Sequence, residues 1–241
     1  MKKFAICTSF CLAVFALLPF VFVSCKKNTI KDKQNAKVFQ FVETTYEGQE
    51  GYEIAGIIEP VSEVKIPSTY KNKPVLGISE KAFYGNRDLT RVTIGKNIKY
   101  IDSSAFAGAI NLTKVEFAEK CAIKEIENKA FYCANISGAL VLPESVKEIG
   151  AEAFENCSQM TSVAFSASAV VHSTAFKNCH NISKIKLFGG TIDDISMLVT
   201  EMANNFETIS SKVSNISIEV DSSLRANLKE TIENLGFEFL Q

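Results

Sequence analysis

Cysteine and histidine are the side chains in this sequence whose types and spacing could support chemistry. The chain has seven Cys and two His among 241 residues. A thiol next to an imidazole can act as a nucleophile, so Cys179 with either His172 or His180 is a formal candidate pair. However, His180 directly follows Cys179, and adjacent side chains rarely project in the same direction. The pair therefore gives little support for an enzyme.

Other signatures of reactive sites are missing from the sequence. There is no CxxC pair for zinc, and no GxGxxG, P-loop, GxSxG or HExxH motif. We therefore expect no catalytic residue, cofactor or metal. The 26 Lys and Arg residues nearly balance the 27 Asp and Glu residues, so no basic surface for nucleic acid is expected. The composition, with 46% hydrophobic and 22% charged residues, is typical of a globular protein.

The N-terminal segment has the pattern of a secretory signal. Lys2 and Lys3 precede an uncharged, largely apolar run over residues 4–23. A cationic start, an apolar middle and a small residue before a break in polarity are typical of a signal peptide. A run of this length could also span a bilayer at about 1.5 Å per residue. An uncleaved anchor helix is therefore the alternative.

The end of this run resembles a bacterial lipobox. Val23-Ser24-Cys25 has the expected residue types, although Phe22 stands where the pattern prefers Leu. The resemblance implies that residues 1–24 are a lipoprotein signal peptide and that the thiol of Cys25 is acylated. Two or three acyl chains would hold the protein on a membrane. Residues 25–37 are rich in Lys and nearly free of apolar side chains, so we expect a solvated tether.

The middle of the chain is an internal repeat. The pair Ala-Phe recurs at intervals of 22 to 25 residues. The five pairs are Ala82-Phe83, Ala105-Phe106, Ala130-Phe131, Ala153-Phe154 and Ala175-Phe176. The residues nine and eleven positions after each Phe are all apolar and have the period-two spacing of a strand. They are Val92 and Ile94, Val115 and Phe117, Leu140 and Leu142, Val163 and Phe165, and Ile185 and Leu187.

These spacings predict a solenoid over residues 63–188. A unit of roughly 23 residues is too small to bury its own apolar side, whereas a stack shares one core between neighbours. An earlier strand is expected at Val64-Lys65-Ile66-Pro67. Six strands would then form one parallel sheet roughly 24 Å across. The Phe residues should stack in the interior, with each Ala where backbone segments crowd.

The segments on either side of the repeats are expected to cover the ends of the core. Residues 38–62 predict a hairpin as an N-terminal cap. Residues 189–241 predict a helix, a strand, a second helix and a last strand. In the second helix, Asp221 or Ser222 is the expected N-cap, and Gly236 ends the helix. We favour an α/β C-terminal cap over a small appended unit, because about 50 residues make a thin independent core.

Several repeat phrases resemble the BspA-like class of leucine-rich repeats. They are Val64-Lys65-Ile66-Pro67-Ser68, Leu140-Val141-Leu142-Pro143, Val146-Lys147-Glu148-Ile149-Gly150 and Ala153-Phe154-Glu155-Asn156-Cys157. The resemblance covers residues 50–188 and implies a β-rich solenoid of short parallel strands with an α/β C-terminal cap. Family members are bacterial surface and secreted proteins, and several are linked to attachment to host matrix proteins or other bacteria.

The resemblance also implies a function. We expect a lipid-anchored protein at the outer surface of the bacterial cell envelope, which binds a protein ligand of the host matrix or of another bacterium. A periplasmic scaffold lipoprotein without an external ligand is the alternative. Neither the sequence nor the resemblance names the ligand, the membrane leaflet or the oligomeric state.

Four Cys residues follow the signal and anchor region. Cys157 and Cys179 stand three residues after the repeat Phe, and Cys133 stands two after it. These positions predict a buried rung of the repeat, where a free thiol acts as a small apolar residue. The family resemblance supports free thiols, whereas an oxidising compartment would favour disulfides. Cys121 lies in the longest unit and is a candidate for exposure.

Exposed positions of the predicted strands form a candidate binding face. We define this face by Arg91, Thr93, Lys114, Glu116, Val141 and Ala164. Ala139, Val141 and Ala164 would make a small apolar stripe beside the cationic Arg91 and Lys114. Such a stripe on an extended sheet suits a protein or peptide partner. Sequence drift on a solvated surface would give the same pattern, so that reading stays open.

Overall fold

Two strands from each repeat are the building units of the structure. The computed structural model describes residues 33–205 and 216–240, which contain sixteen strands and three helical segments. In chain order the strands are β1 (Phe39–Tyr46), β2 (Gln49–Ile57), β3 (Glu63–Lys65), β4 (Thr69–Tyr70), β5 (Lys73–Ile78), β6 (Arg91–Ile94), β7 (Tyr100–Ile101), β8 (Lys114–Phe117), β9 (Glu125–Ile126), β10 (Gly138–Val141), β11 (Glu148–Ile149), β12 (Met160–Ser166), β13 (Val170–Val171), β14 (Lys184–Phe188), β15 (Ser217–Glu219) and β16 (Glu238–Phe239). The helical segments are α1, of which residues 33–38 are described, α2 (Ile192–Asn205) and α3 (Arg225–Asn234).

The predicted N-terminal hairpin is confirmed. Strand β1 pairs antiparallel with β2 through a two-residue loop. Both loop residues, Glu47 and Gly48, have positive φ values of 48° and 80°, which match the twist of a tight hairpin. The proposed signal peptide 1–24 and the proposed lipidation site Cys25 lie outside the described residues.

An eight-stranded sheet, which we call the hairpin sheet, was not predicted. It runs in the order β1, β2, β5, β7, β9, β11 and β13, with β4 paired to β5. Strands β7, β9 and β11 contain Ile101, Ile126 and Ile149, each five residues before a Phe of the repeat. The hairpin is fixed on this sheet because Tyr46 donates to Glu125 at 2.6 Å and Tyr100 donates to Glu53 at 2.6 Å. Gly77 is required here, since a Cβ atom would lie 2.1 Å from the Tyr100 ring.

The single six-stranded sheet predicted from the repeats is divided in two. Strands β3, β6 and β8 form a three-stranded sheet, and β10, β12, β14, β15 and β16 form a five-stranded sheet. The division falls between β8 and β10, which do not pair. The physical reason is a conflict of register, which is built into the 25-residue spacing between Phe106 and Phe131.

Two sets of contacts in this unit demand different offsets. At one end of the strands the Ser137 N–H donates to Thr113 O at 3.0 Å, and at the other the Ser145 hydroxyl donates to Cys121 O at 2.9 Å. Both contacts join residues 24 apart, whereas the apolar pattern aligns Val115 with a residue 25 further on. A slip of one residue turns a strand's side chains to the opposite face. The two strands therefore separate between their joined ends.

The stack of Phe rings predicted from the repeat is confirmed. Neighbouring rings lie 4.7 to 5.2 Å apart between centroids and within 5° of parallel. The stacked residues are Phe83, Phe106, Phe131, Phe154 and Phe176. Four of them also donate a backbone hydrogen bond of 2.7 Å to the Ala carbonyl of the next unit. This close approach of two backbones explains why the residue before each Phe is Ala.

The C-terminal unit extends the five-stranded sheet. Strand β15 pairs in parallel with β14, and β16 pairs in parallel with β15. Helix α2 buries Ile195, Leu198 and Val199 against the core. Gly236, with φ at 88°, ends α3 as predicted.

The predicted N-cap of α3 was wrong. The cap residue is Leu224, which has no side-chain cap hydrogen bond. Asp221 instead accepts a hydrogen bond from the Gly189 N–H at 3.0 Å, so its carboxylate joins this unit to the end of the repeats. A turn then separates Asp221 from the helix, because the Leu224 N–H donates to the Asp221 carbonyl.

We predict that Phe131→Ala lowers the free energy of unfolding by about 3 to 5 kcal/mol. Phe131 is fully buried and stacks on rings on both sides, so its loss leaves a cavity in the centre of the ladder. Urea unfolding of the variant measures the change. Tyr84→Ala is the control, because Tyr84 is 63% exposed and should cost about 0.5 kcal/mol or less. A loss under about 1 kcal/mol for Phe131→Ala would contradict the role of the ladder.

We also predict an acid-dependent contribution from Glu219, which pairs with Lys184 and with Lys186 at 2.6 Å. Two hydrogen bonds, the stronger contribution from Lys184 and the next from Lys186, lower the pKa of Glu219 from 4.5 to about 2. A carboxyl group whose pKa is lowered by folding stabilises the fold at any pH above its unfolded pKa. This stabilisation is lost as the pH falls through the folded pKa. Glu219→Gln should therefore cost about 1 kcal/mol near neutral pH and almost nothing near pH 2.

The matched control for this prediction is Glu233→Gln, since Glu233 forms only a distant pair with Lys229 at 3.9 Å. Thermal unfolding between pH 2 and 7 gives both curves. A constant difference between Glu219→Gln and the unmodified protein over this range would show that the carboxylate charge is not the cause.

Candidate binding face and cleft

The candidate binding face is divided by the gap in the sheet. Arg91, Thr93, Lys114 and Glu116 lie on β6 and β8 of the three-stranded sheet, whereas Val141 lies on β10 across the gap. Within each half the strands keep parallel register, so that Arg91 aligns with Lys114 and Thr93 with Glu116. The face is thus two surfaces with an opening between them.

The cationic side of the face is neutralised. The Arg91 guanidinium lies 3.6 Å from Glu63 and 3.4 Å from Glu116, and Lys114 Nζ lies 2.9 Å from Glu116. The hydrogen bond from Lys114, together with the nearby Arg91, lowers the pKa of the Glu116 carboxyl. The carboxylate is therefore ionised at neutral pH, and the two cations are paired with carboxylates. Electrostatic attraction of an acidic partner is weaker here than the sequence suggested.

The predicted exposure of Ala164 was wrong. Ala164 is 7% exposed, whereas Val141 is 63% exposed. Ala164 lies on β12, in register with Val141 on one side and Lys186 on the other. Its short methyl group is covered by these longer neighbours, which explains the burial. Val141 and the smaller Ala139 are then the exposed apolar residues of β10.

A cleft of about 940 Å³ opens where β8 and β10 separate. We call it the β8/β10 cleft. Its walls include Thr93, Lys114, Glu116 and Val141 of the candidate binding face. Hydrogen bonds join the two walls beyond each end of the strands, at Ser137 and at Ser145. The cleft is therefore bounded along the strand direction and reached from the sheet surface.

Two core positions of the repeat line this cleft. Val115 and Phe117 are only half-buried, although the equivalent residues of the four other units are at most 2% exposed. The sequence did not reveal the cleft. The available signal was the longest Ala-Phe spacing together with Ser137 at a position that is apolar in the other units.

The Cys residues occupy three different environments. Cys157 and Cys179 are fully buried and donate to the carbonyls of Phe131 and Phe154, at 3.3 and 3.0 Å. Burial raises the pKa of Cys157 strongly and that of Cys179 to about 12. These two thiols occupy equivalent positions of the repeat, as predicted. They are poor nucleophiles because so little thiolate is present at neutral pH.

Cys133 and Cys121 differ from the expectation. Cys133 is half-buried with φ at 56°, and the Asn156 side chain donates to its sulfur at 3.4 Å. Cys133 is two residues after Phe131, one fewer than Cys157 and Cys179 are from their Phe residues. The equivalent interior position in this unit is therefore occupied by Ala134, which is 1% exposed. Cys121 is 5% exposed and donates to Gly95 O, so its expected exposure was wrong. Each of the four described Cys residues is a free thiol.

The described residues offer no assembled site for a metal or a nucleophile. Cys179 is buried, whereas His172 and His180 are exposed. The Cys179 thiol therefore lies in the core while both imidazoles lie at the surface. In the described part of the chain no group of three or more His, Cys, Asp or Glu side chains could hold a metal ion. None of the helices in residues 33–205 and 216–240 is both long and apolar enough to cross a membrane.

The stacked repeats and their sheet face define a leucine-rich repeat solenoid. The sequence profile described as "BspA type Leucine rich repeat region" matches residues 76–198 and 124–232, with six copies. The chain belongs to this family of BspA-type leucine-rich repeat proteins, which confirms the resemblance seen in the repeat phrases. The second match reaches into α3, in agreement with the extension of the sheet by β15.

The chain is similar to several solved structures, and the first of these shares its fold. The T. pallidum leucine-rich repeat protein is 22% identical, with a TM-score of 0.59, and the match covers 85% of this chain and 96% of that one. The pneumococcal vaccine antigen PcpA is 19% identical, with a TM-score of 0.48 and coverage of 76% and 44%. A leucine-rich repeat protein from Bacteroides ovatus is 22% identical, with a TM-score of 0.42 and coverage of 63% and 48%. No curated protein matches the chain.

We predict that Cys133 reacts with a thiol reagent before Cys157 and Cys179 in the native protein. Cys133 is partly accessible, whereas the other two are buried and have raised pKa values. The rates should differ on the order of tenfold or more. Mass spectrometry of tryptic peptides after timed labelling at pH 8 locates each adduct. Equal labelling rates at all three sites would contradict the burial of Cys157 and Cys179. Labelling in urea is the control, because all three thiols are then accessible.

Proposed function

We propose that this protein is a lipid-anchored bacterial surface protein that binds another protein through the candidate binding face. The observation that supports this most directly is the repeat face, whose two sheets are separated by a cleft lined by apolar side chains and paired charges. Stacked repeats present such extended surfaces to partners. Membership of the BspA-type leucine-rich repeat family agrees with a binding role, and the partner we propose is a host matrix protein or a protein of another cell.

The proposed anchor is the acylated Cys25. A cationic start, an apolar run and Val23-Ser24-Cys25 support export and lipidation. A lipid-anchored chain with the tether at residues 25–37 would present the solenoid next to the membrane surface. This arrangement suits contact with a ligand held by another cell or matrix, because attachment can then resist separation of the two surfaces.

A binding role accounts for the site better than a catalytic one. The cleft walls combine apolar side chains with ion pairs that are already satisfied. Cys121, the thiol that borders the cleft, is buried, and desolvation raises its pKa. A group of this kind contributes packing and a weak hydrogen bond to Gly95 O, and it is badly suited to nucleophilic attack.

Protease treatment of intact cells tests the proposed location. We expect added protease to remove the solenoid from living cells, and we expect Cys25→Ser to abolish incorporation of a labelled fatty acid into the protein. Cys133→Ser is the matched control and should still be acylated, since Cys133 lies within the repeats. Immunoblotting of cells and detection of the labelled acyl chain give the two results. Full protection from protease until the envelope is broken would contradict a surface protein and favour a periplasmic scaffold.

A further inference from the structure

The β8/β10 cleft exposes two unpaired strand edges that face each other. Strand β8 pairs only with β6, and β10 pairs only with β12. The N–H groups of Lys114 and Ala118 bond to the β6 side of β8, and that of Leu142 bonds to the β12 side of β10. Successive residues of a strand pair with opposite neighbours. The backbone groups of the intervening residues therefore point into the opening.

Apolar side chains lie beside these edges. Val115 and Phe117 contribute from β8, and Val141 and Leu142 from β10 and its end. Val115 and Phe117 are only half-buried and Val141 is 63% exposed. The opening thus offers apolar contact and backbone hydrogen bonds together. An extended polypeptide supplies both, whereas an acyl chain supplies only the first.

The charges at the cleft suit a neutral occupant. Lys114 and Glu116 are paired with each other at 2.9 Å. Lys120 and Glu144 lie in the lining where the strands end, and their charges are opposite. The four charges sum to zero. A strongly acidic or basic segment would therefore gain little net attraction and would lose hydration on entering, whereas an uncharged segment avoids that cost.

We propose that the β8/β10 cleft binds an uncharged extended segment of a partner protein, with one large apolar side chain of that segment inserted between the strands. The segment's backbone pairs with the free edges, and its apolar side chain covers Val115 and Phe117. Each edge is four residues long, about 13 Å at 3.3 Å per residue, which fits four or five residues. This inference deepens the proposed function, on which it rests, by naming where the partner binds and what chemistry the partner presents.

The test uses the full chain in lipid nanodiscs and a fluorescein-labelled, end-blocked heptapeptide, Thr-Val-Thr-Phe-Thr-Val-Thr. Fluorescence anisotropy measures binding. We expect saturable binding that Val141→Lys weakens by about tenfold or more, because the charge is placed at the apolar opening. Val170→Lys is the matched control. Val170 is a β-strand valine that is 72% exposed on the hairpin sheet, and its change should alter affinity by less than about twofold.

Two further probes identify the chemistry that is recognised. A peptide N-methylated on either side of Phe should bind about tenfold more weakly, because it cannot donate to the free edges. Decanoate should compete poorly with the labelled peptide. Raising the salt from 50 to 500 mM should change the affinity by less than about twofold.

The inference is overturned if Val141→Lys and Val170→Lys bind the peptide equally, or if no saturable binding occurs. Equal binding of the N-methylated peptide, or full displacement by decanoate, would show a purely apolar pocket. Sedimentation showing dimers that the peptide dissociates would make a second copy of the chain the natural occupant and would also overturn it. Peptide binding does not depend on where the protein resides in the cell. A negative result here is therefore distinguishable from protease protection, which would defeat the surface role alone.

Discussion

The fold depends on the stacking of units that cannot bury their own apolar side. Each unit of 22 to 25 residues contributes one Phe ring, and each ring is covered only when the next unit is in place. The Phe N–H bonds to the Ala carbonyl of the next unit at 2.7 Å in four successive steps, so ring stacking and backbone pairing fix the same distance between units. Side chains at these positions are restricted by that spacing, whereas the surface positions remain free to vary.

The cleft follows from the one place where this spacing conflicts with the strand pattern. The 25-residue unit keeps the Phe ladder unbroken, so its extra residues must be accommodated at the sheet surface. The hydrogen bonds beyond both ends of β8 and β10 join residues 24 apart, while the apolar positions are 25 apart. The separation of these strands leaves Val115 and Phe117 half-buried. The structural core thus produces the opening that we propose as the binding site.

Much of the fold could be predicted from the sequence, because repeats place the same residue types in the same environment. The Phe ladder, the hairpin and the parallel strands all followed from spacing. The hairpin sheet did not, since strands of two residues such as β7 and β9 have too few positions to show a period. Sequence also assigned Asp221 to a helix cap, but that carboxylate bonds to Gly189. A local sequence pattern does not show which residue, distant in the chain, will form a hydrogen bond with a polar side chain such as that of Asp221.

The candidate site was predictable only in part, because its form depends on three-dimensional register. The alternation of residues located Arg91, Lys114 and Val141 on one face, but it could not show that Glu63 and Glu116 neutralise the cations or that the face is split. Residue-resolved amide hydrogen exchange distinguishes a divided sheet from a continuous one. We expect the Val115 and Phe117 amides to exchange about 100-fold faster than the hydrogen-bonded amides of Ala118 and Leu142. Equally slow exchange at all four amides would show a continuous sheet and would contradict the cleft.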